Sequence, residues 1–309
     1  MQLDRATKLA KENGRVPAPG KLLGLVVLTM VAFAANSVLN RLALADGQIG
    51  AVSFAVGRLA SGAFALAVVA VLRQKRFALP LRGPGRIGGV VSLTLYMFGF
   101  SLAYLSLDAG MGALILFGFV QLTMFSAAAF SGDAIPRAKW AGVCLAMIGL
   151  AWLLWPQGDV APPLVPAGMM AVAGISWGVY SLVGRRSGPA LAASAANFVL
   201  ATPVALALVV LLPGTESVAT TPRGIGLAVL SGVVTSGLGY ALWYTVLPRI
   251  STSTAALAQL SVPVIAMAGG MVFLAEPLSA RFVGAACLVL TGIALGLLAP
   301  QRKIGSKTS

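Results

Sequence analysis

Long apolar runs, broken by Pro, Gly or short basic clusters, repeat along the chain from residue 21 to residue 299. A helix needs roughly 20 apolar residues to cross the hydrocarbon layer of a bilayer. Counted against that length, the runs predict ten crossings, over 21–45, 49–72, 86–107, 110–130, 138–156, 164–184, 189–212, 222–246, 252–275 and 279–299. The turn from Leu107 to Gly110 is one of the shortest between them. The first run, from Lys21, exceeds the apolar core of a signal peptide, about 7 to 15 residues, and reads as a retained helix. The expected fold is therefore an all-α integral membrane protein.

Composition supports lipid as the main solvent. Hydrophobic residues make up 58% of the chain and charged residues only 10%, with a mean hydropathy of +0.92; an ordinary soluble domain is roughly 25% charged. The net charge of +14 would suggest a nucleic-acid partner in a soluble chain. Here most of the Lys and Arg sit in loops that would face one side of a bilayer, so lipid and a small-molecule substrate are the expected partners and nucleic acid is not. With the N-terminus inside, the cytoplasmic segments take Arg5, Lys8, Arg15 and the other basic residues before the first helix, the Arg73 to Arg86 cluster, Arg137, Lys139, Arg185, Arg186, Arg249 and the basic tail. That leaves Arg41, Arg223 and Arg281 outside and Arg58 within a span. Basic residues favour the cytoplasmic face, so both termini are expected inside a bacterial inner membrane. Cys144 and Cys287 each lie within an apolar run and the chain has no His, so neither a metal nor another cofactor is expected.

The second half of the chain echoes the first. Asp133 to Gly149 aligns without gaps on Glu276 to Gly292, pairing Cys144 with Cys287 and Leu145 with Leu288. Gly99 to Tyr104, GFSLAY, matches Gly239 to Tyr244, GYALWY, and Asn36, Ser37, Val38 fall on Trp177, Gly178, Val179. The matches keep their order. A unit of five helices sends its copy into the membrane from the opposite side, so the repeat is inverted, and such pairs build alternating access around a central site. The domain organisation read from this is a segment 1–20, a first five-helix repeat 21–156, a second repeat 164–299 and a tail 300–309.

Five plus five helices, an acid after the fourth and ninth helix followed by a Gly-rich helix, and an Arg in helix two resemble the drug/metabolite transporter superfamily, specifically its EamA-type exporters. Among these the chain is most similar to the YddG aromatic amino acid exporters. The resemblance implies an exporter of amino acids or related metabolites in the cytoplasmic membrane. One position departs from the pattern: helix nine carries Pro263, whereas its equivalent in helix four is Val120, which bears on any kink there.

Polar and aromatic groups at mid-span mark candidate sites, because hydrocarbon tolerates them only against protein or a water-filled cavity. Asn36 and Asn40 lie four apart on one helix face and together can bond the ammonium and carboxylate of a zwitterion; interhelical bonding is the alternative. Tyr96 and Trp177 lie near mid-span, where a ring can stack on a substrate side chain. Ser181, Gln121 and Gln259 complete the substrate-binding candidates, while Trp243 and Tyr244 read as an interfacial belt. Arg58 could hold a carboxylate, but is assigned with Pro263 to a structural or gating role, through snorkelling or a helix-end carbonyl. Asp133 and Glu276 read as helix caps.

No Asp or Glu falls at the centre of a span, so the usual proton carriers are missing and facilitated diffusion is expected. Gly14 to Lys21 resembles a phosphate-binding loop but has five residues between its glycines and Leu22 at the hydroxyl position. Gly83, Gly85 and Gly88 match a dinucleotide-binding spacing without the strands such a site requires. No catalytic set lies in the spans, so an enzyme is not expected. The leading expectation is a secondary exporter of aromatic and other neutral amino acids working by alternating access; the alternative is an exporter of drugs, nucleotide-sugar-like solutes or other small metabolites on the same fold.

Overall fold

A computed structural model describes residues 19–74, 79–130, 136–155, 163–184, 190–211, 220–246, 249–250 and 258–298. Among these residues helix is the only regular secondary structure. The helices are α1 Pro19–Ala45, α2 Ala51–Gln74, α3 Arg86–Ala103, α4 Ala109–Phe130, α5 Arg137–Leu154, α6 Leu164–Gly184, α7 Ala190–Leu211, α8 Pro222–Val246, α9 Ser261–Leu274 and α10 Ala280–Leu298. The first eight are long and apolar enough to cross a membrane, and Ser261–Leu274 and Ala280–Gly296 are shorter apolar stretches. A backbone without water must bond to itself, and a helix does so within one segment. Large apolar side chains such as Phe64, Leu72, Val210, Val272 and Phe273 remain exposed, as a lipid-facing surface requires.

The two largest boundary shifts and one irregular helix set the structure apart from the hydropathy reading. The third helix stops at Ala103 rather than 107, because Ser106 and Leu107 bond back to the Ala103 carbonyl and the chain reverses into α4. In the ninth predicted span, regular α9 begins at Ser261, and 251–257 lie outside the described residues, as does Asp133. Helix α8 is not regular: Ser231–Leu238 is π-helical between two α-helical parts. At this widened stretch α8 meets α2, and a Cβ on Gly232 would lie 2.5 Å from the Arg58 carbonyl oxygen. Only a residue without a side chain allows that approach.

Packing follows a regular scheme. Helix α1 packs on α8 and α9, α6 on α3 and α4, α2 on α7 and α8, α3 on α7, α4 on α9, and α5 on α10. Lipid supplies no hydrophobic drive to bring helices together, so close backbone approach at small residues does much of the holding. The α5–α10 crossing shows it: a Cβ on Gly142 would sit 2.3 Å from the Gly292 carbonyl oxygen, and one on Gly292 2.4 Å from that of Gly142.

Those two atoms are backbone and cannot rotate away. Gly142→Ala and Gly292→Ala are each expected to destabilise the chain by about 1–3 kcal/mol through overpacking. Gly168→Ala, with nothing within 4 Å of its Cβ, is expected to leave stability unchanged. Thermal unfolding of the three variants in detergent checks this, and equal midpoints would refute it.

Candidate functional site

The polar face predicted on α1 exists, and its two amides serve different partners. Asn36 and Asn40 are both buried. The hydroxyls of Ser231 and Thr235, on the π-helical stretch of α8, each donate to Asn36 Oδ1 at 2.6 Å, and Asn36 Nδ2 donates to Ser236 Oγ at 3.5 Å. One turn on, Asn40 Nδ2 donates to Ser101 Oγ of α3 at 3.2 Å. Asn40 Oδ1 has no partner among the described residues.

Arg58 of α2 is fully buried, at 0% exposure. It neither snorkels to an interface nor reaches a helix-end carbonyl. Its Nε donates to Ser236 Oγ and its Nη2 to Tyr96 Oη, both at 2.9 Å. The guanidinium carbon lies 4.9 Å from the ring centre of Phe100 and 5.2 Å from that of Tyr96. An unpaired charge removed from water costs several kcal/mol even after relaxation. Ring faces return about 0.5–2 kcal/mol each, and the two hydrogen bonds offset more. The ion pairs among the described residues belong to Arg41 and Arg223, not Arg58.

Aromatic rings from four helices surround the space between α1 and α6. Trp177 lies 5.0 Å from Tyr96 and 5.1 Å from Tyr240, centre to centre, stacks on Tyr180 at 5.5 Å and meets Phe33 edge-on at 6.5 Å. They enclose a cavity of about 20 Å³ lined by Phe33, Asn36, Tyr96, Phe100, Trp177 and Tyr240 among others. That volume has room for one water molecule, so the rings must part before a solute of amino acid size fits. The interfacial-belt reading of Trp243 and Tyr244 does not hold. Trp243 is buried edge-on to Phe33 at 5.8 Å, and Tyr244 accepts from Ser194, which accepts from Tyr180. Both rings are held inward by this packing.

The other candidates separate from the cavity. Gln121 lines a groove of about 160 Å³ between α4, α5 and α10, with Lys139 and Gly292. Ser181 donates to the Trp177 carbonyl of its own helix. Half-buried Gln259 precedes α9 and is not among the residues lining the cavity. Pro263 sits in the first turn of α9, directly after a turn at Leu260 that separates α9 from the helical residues 258–259. Phe33 and Tyr240 were not anticipated. Phe33 belongs to the spacing 33, 36, 37, 40 that puts one polar face on α1, and a ring at its edge was the available signal.

Polar clusters close the two ends of α3. At its start Arg86 donates to the Ala193 carbonyl at 2.8 Å and to Asn197 Oδ1 and the Pro80 carbonyl. At its far end Arg41 donates to the carbonyls of Tyr104 and Leu105, each at 3.1 Å, and lies 3.6 Å from Glu276 and 4.0 Å from Asp108. Glu276 caps a helix, as expected, but the helix is α4: both carboxylate oxygens accept from the Ala109 N–H, at 3.0 and 2.9 Å. Burial pushes the Glu276 carboxyl above the usual range, the Ala109 N–H opposes it, Asp108 adds to it and Arg41 opposes it.

The profile of the EamA-like transporter family matches residues 165–298. An uncharacterised protein of Pseudomonas aeruginosa is 47% identical over 281 residues, which cover 91% of this chain and 96% of that protein. A protein of Streptantibioticus cattleyicolor named a probable terminal-alkyne amino-acid exporter is 26% identical over 300 residues, 93% of this chain and 96% of its own. A crystal structure shares the fold, with a TM-score of 0.61 at 20% identity over 90% of this chain and 99% of that one.

The raised Glu276 carboxyl gives a signed pH dependence. The folded chain holds this proton more tightly than the unfolded chain does, so the contribution of Glu276 favours folding at low pH. It is lost as pH rises from the ordinary carboxylate value through the raised one. The thermal midpoint of the wild type is expected to fall across that window relative to that of Glu276→Gln. A difference between the two midpoints that does not change with pH would contradict it.

Proposed function

The chain belongs to the EamA-like transporter family of the drug/metabolite transporter superfamily, and from that membership we propose that it exports neutral amino acids, aromatic ones among them, across the bacterial cytoplasmic membrane. The observation that carries the reading is the cavity between α1 and α6. Aromatic rings beside buried amides and hydroxyls suit a solute with an apolar side chain and a zwitterionic head. The relative named for amino-acid export, alike over nearly its whole length, supports that substrate class.

Alternating access is the proposed mechanism, with 21–156 and 164–299 as two inverted five-helix units. Exchanging α1 with α6, α2 with α7, α3 with α8, α4 with α9 and α5 with α10 turns the pair α1–α8 into α6–α3, α1–α9 into α6–α4, and α2–α8 into α7–α3, all of which pack together. Individual contacts follow the same exchange. The Gly142–Gly292 approach has its counterpart in Gly149 against the Ala285 carbonyl, and Gly99 against Ala173 has its counterpart in Gly239 against Ala32. These correspondences support the repeat that the sequence offsets suggest.

The residues proposed to meet substrate are Trp177 and Tyr96 as stacking rings and Asn36 and Asn40 as polar contacts, with Gln121, Ser181 and Gln259 reached only after the helices rearrange. The basic loops support cytoplasmic termini. Among the described residues, Asp46, Asp108 and Glu276 all lie at helix ends, which supports movement down a gradient without a proton carrier.

Proteoliposomes carrying the purified chain are expected to equilibrate radiolabelled neutral amino acids and to leave a sugar nucleotide and a cationic drug behind. No flux of any amino acid sinks the substrate assignment. Uphill accumulation driven by a pH gradient alone overturns the facilitative mechanism.

A further inference from the structure

Three polar atoms in the interior have no hydrogen-bond partner among the described residues and lie at or behind the central cavity: Tyr240 Oη, whose residue lines it, Arg58 Nη1, whose guanidinium bonds the lining Tyr96, and Asn40 Oδ1, one helical turn from the lining Asn36. Arg58 and Asn40 are fully buried and Tyr240 nearly so. Their chemistry is complementary. Arg58 Nη1 offers two N–H donors on a permanent cation, Asn40 Oδ1 accepts only, and Tyr240 Oη donates or accepts. Among the described residues the acids are Asp46, Asp108 and Glu276, all at helix ends and paired with Arg41 or Arg223, so none of these carboxylates meets Arg58.

The rest of the guanidinium is fixed. Nε is held by Ser236 and Nη2 by Tyr96, while Phe100 and Tyr96 flank the group with their faces. Those two rings also line the central cavity, and Tyr96 packs on Trp177 within it. The π-helical stretch of α8 delivers Ser236 to Arg58, and a π segment inside an α-helix occurs often at functional sites. Snorkelling or a helix-end cap would leave the charge at an interface; here it is oriented, desolvated and unneutralised. A planar guanidinium with a free nitrogen edge is suited to a carboxylate.

We propose that Arg58 is the carboxylate anchor of the transported solute, with Asn40 Oδ1 and Tyr240 Oη accepting from its ammonium group. The proposal rests on the amino-acid export reading and assigns Arg58 to the substrate rather than to the scaffold. The solute's carboxylate completes the charge pairing that the chain leaves open, so a solute lacking a carboxylate is discriminated against at this point. Rotation of Tyr96 and Phe100, which the small cavity already requires, brings the guanidinium to the solute.

The test compares phenylalanine with its carboxamide, which keeps ring and ammonium but loses the anionic group. In Arg58→Gln proteoliposomes the half-saturation concentration for phenylalanine is expected to rise by roughly tenfold or more, the worth of a charge-assisted bond, while that for the carboxamide changes little. Arg58→Lys should recover part of the preference. An unchanged preference in Arg58→Gln overturns the proposal.

Should the variants fail to fold, the wild type answers by phenylglyoxal modification of arginine, read at Arg58 by peptide mass spectrometry. Modification of Arg58 is expected, slowed by phenylalanine and not by the carboxamide. No modification of Arg58, or equal protection by both compounds, overturns the proposal. If wild-type vesicles move no amino acid, the export reading fails separately. The anchor then stands only if benzoate protects Arg58 where benzamide does not, and falls if neither protects.

Discussion

Hydrocarbon gives a buried polar group nothing to bond with except the protein, and the interior of this bundle is organised by that constraint. Asn36 illustrates how far the chain goes to meet it. One carbonyl oxygen receives two hydroxyls from α8, and α8 departs from regular helical geometry over the same eight residues that supply them. The same stretch supplies Ser236 to Arg58, and Arg58 in turn orients Tyr96. A continuous set of bonds therefore runs from α1 through α8 and α2 to α3, and its last member is a wall of the central cavity. Packing and site are one structure here.

Much of the helical framework was legible in the sequence, because apolar length and basic loops follow directly from the bilayer. The π-helical stretch was not. Its residues have ordinary hydropathy, and it lies where Gly232 brings α8 close against α2, a tertiary contact that no local pattern encodes. The cavity was half legible. Asn36, Tyr96 and Trp177 stood out as polar or aromatic at mid-span, and they do come together. Gln121, Ser181 and Gln259 stood out for the same reason and do not join them, since depth in a span says nothing about which way a side chain turns. Trp243 and Tyr244 show the converse. Position near a helix end suggested the interface, and their tertiary partners draw them inward.

Glu276 shows how a local expectation can be right about the chemistry and miss the partner. An acid at a helix end suggests a cap, and the group does cap. The N–H it receives belongs to α4, however, far away in sequence, and Arg41 of α1 completes the cluster. One carboxylate thus links the first half of the chain to the second at the end of the bundle opposite Arg86. Neither half alone contains both the cap and the capped helix.

The π-helical segment of α8 has no π-helical counterpart in α3, the helix its sequence matches. In a carrier of the kind proposed, the two orientations would be mirror images in energy only if the halves were identical. This helix makes them unequal, so half-saturation need not be the same on the two faces of the membrane. Microscopic reversibility still ties the ratio of maximal rate to half-saturation to one value for both directions. The asymmetry can therefore tune how readily the carrier loads from inside or outside, but it cannot by itself drive a solute up its gradient.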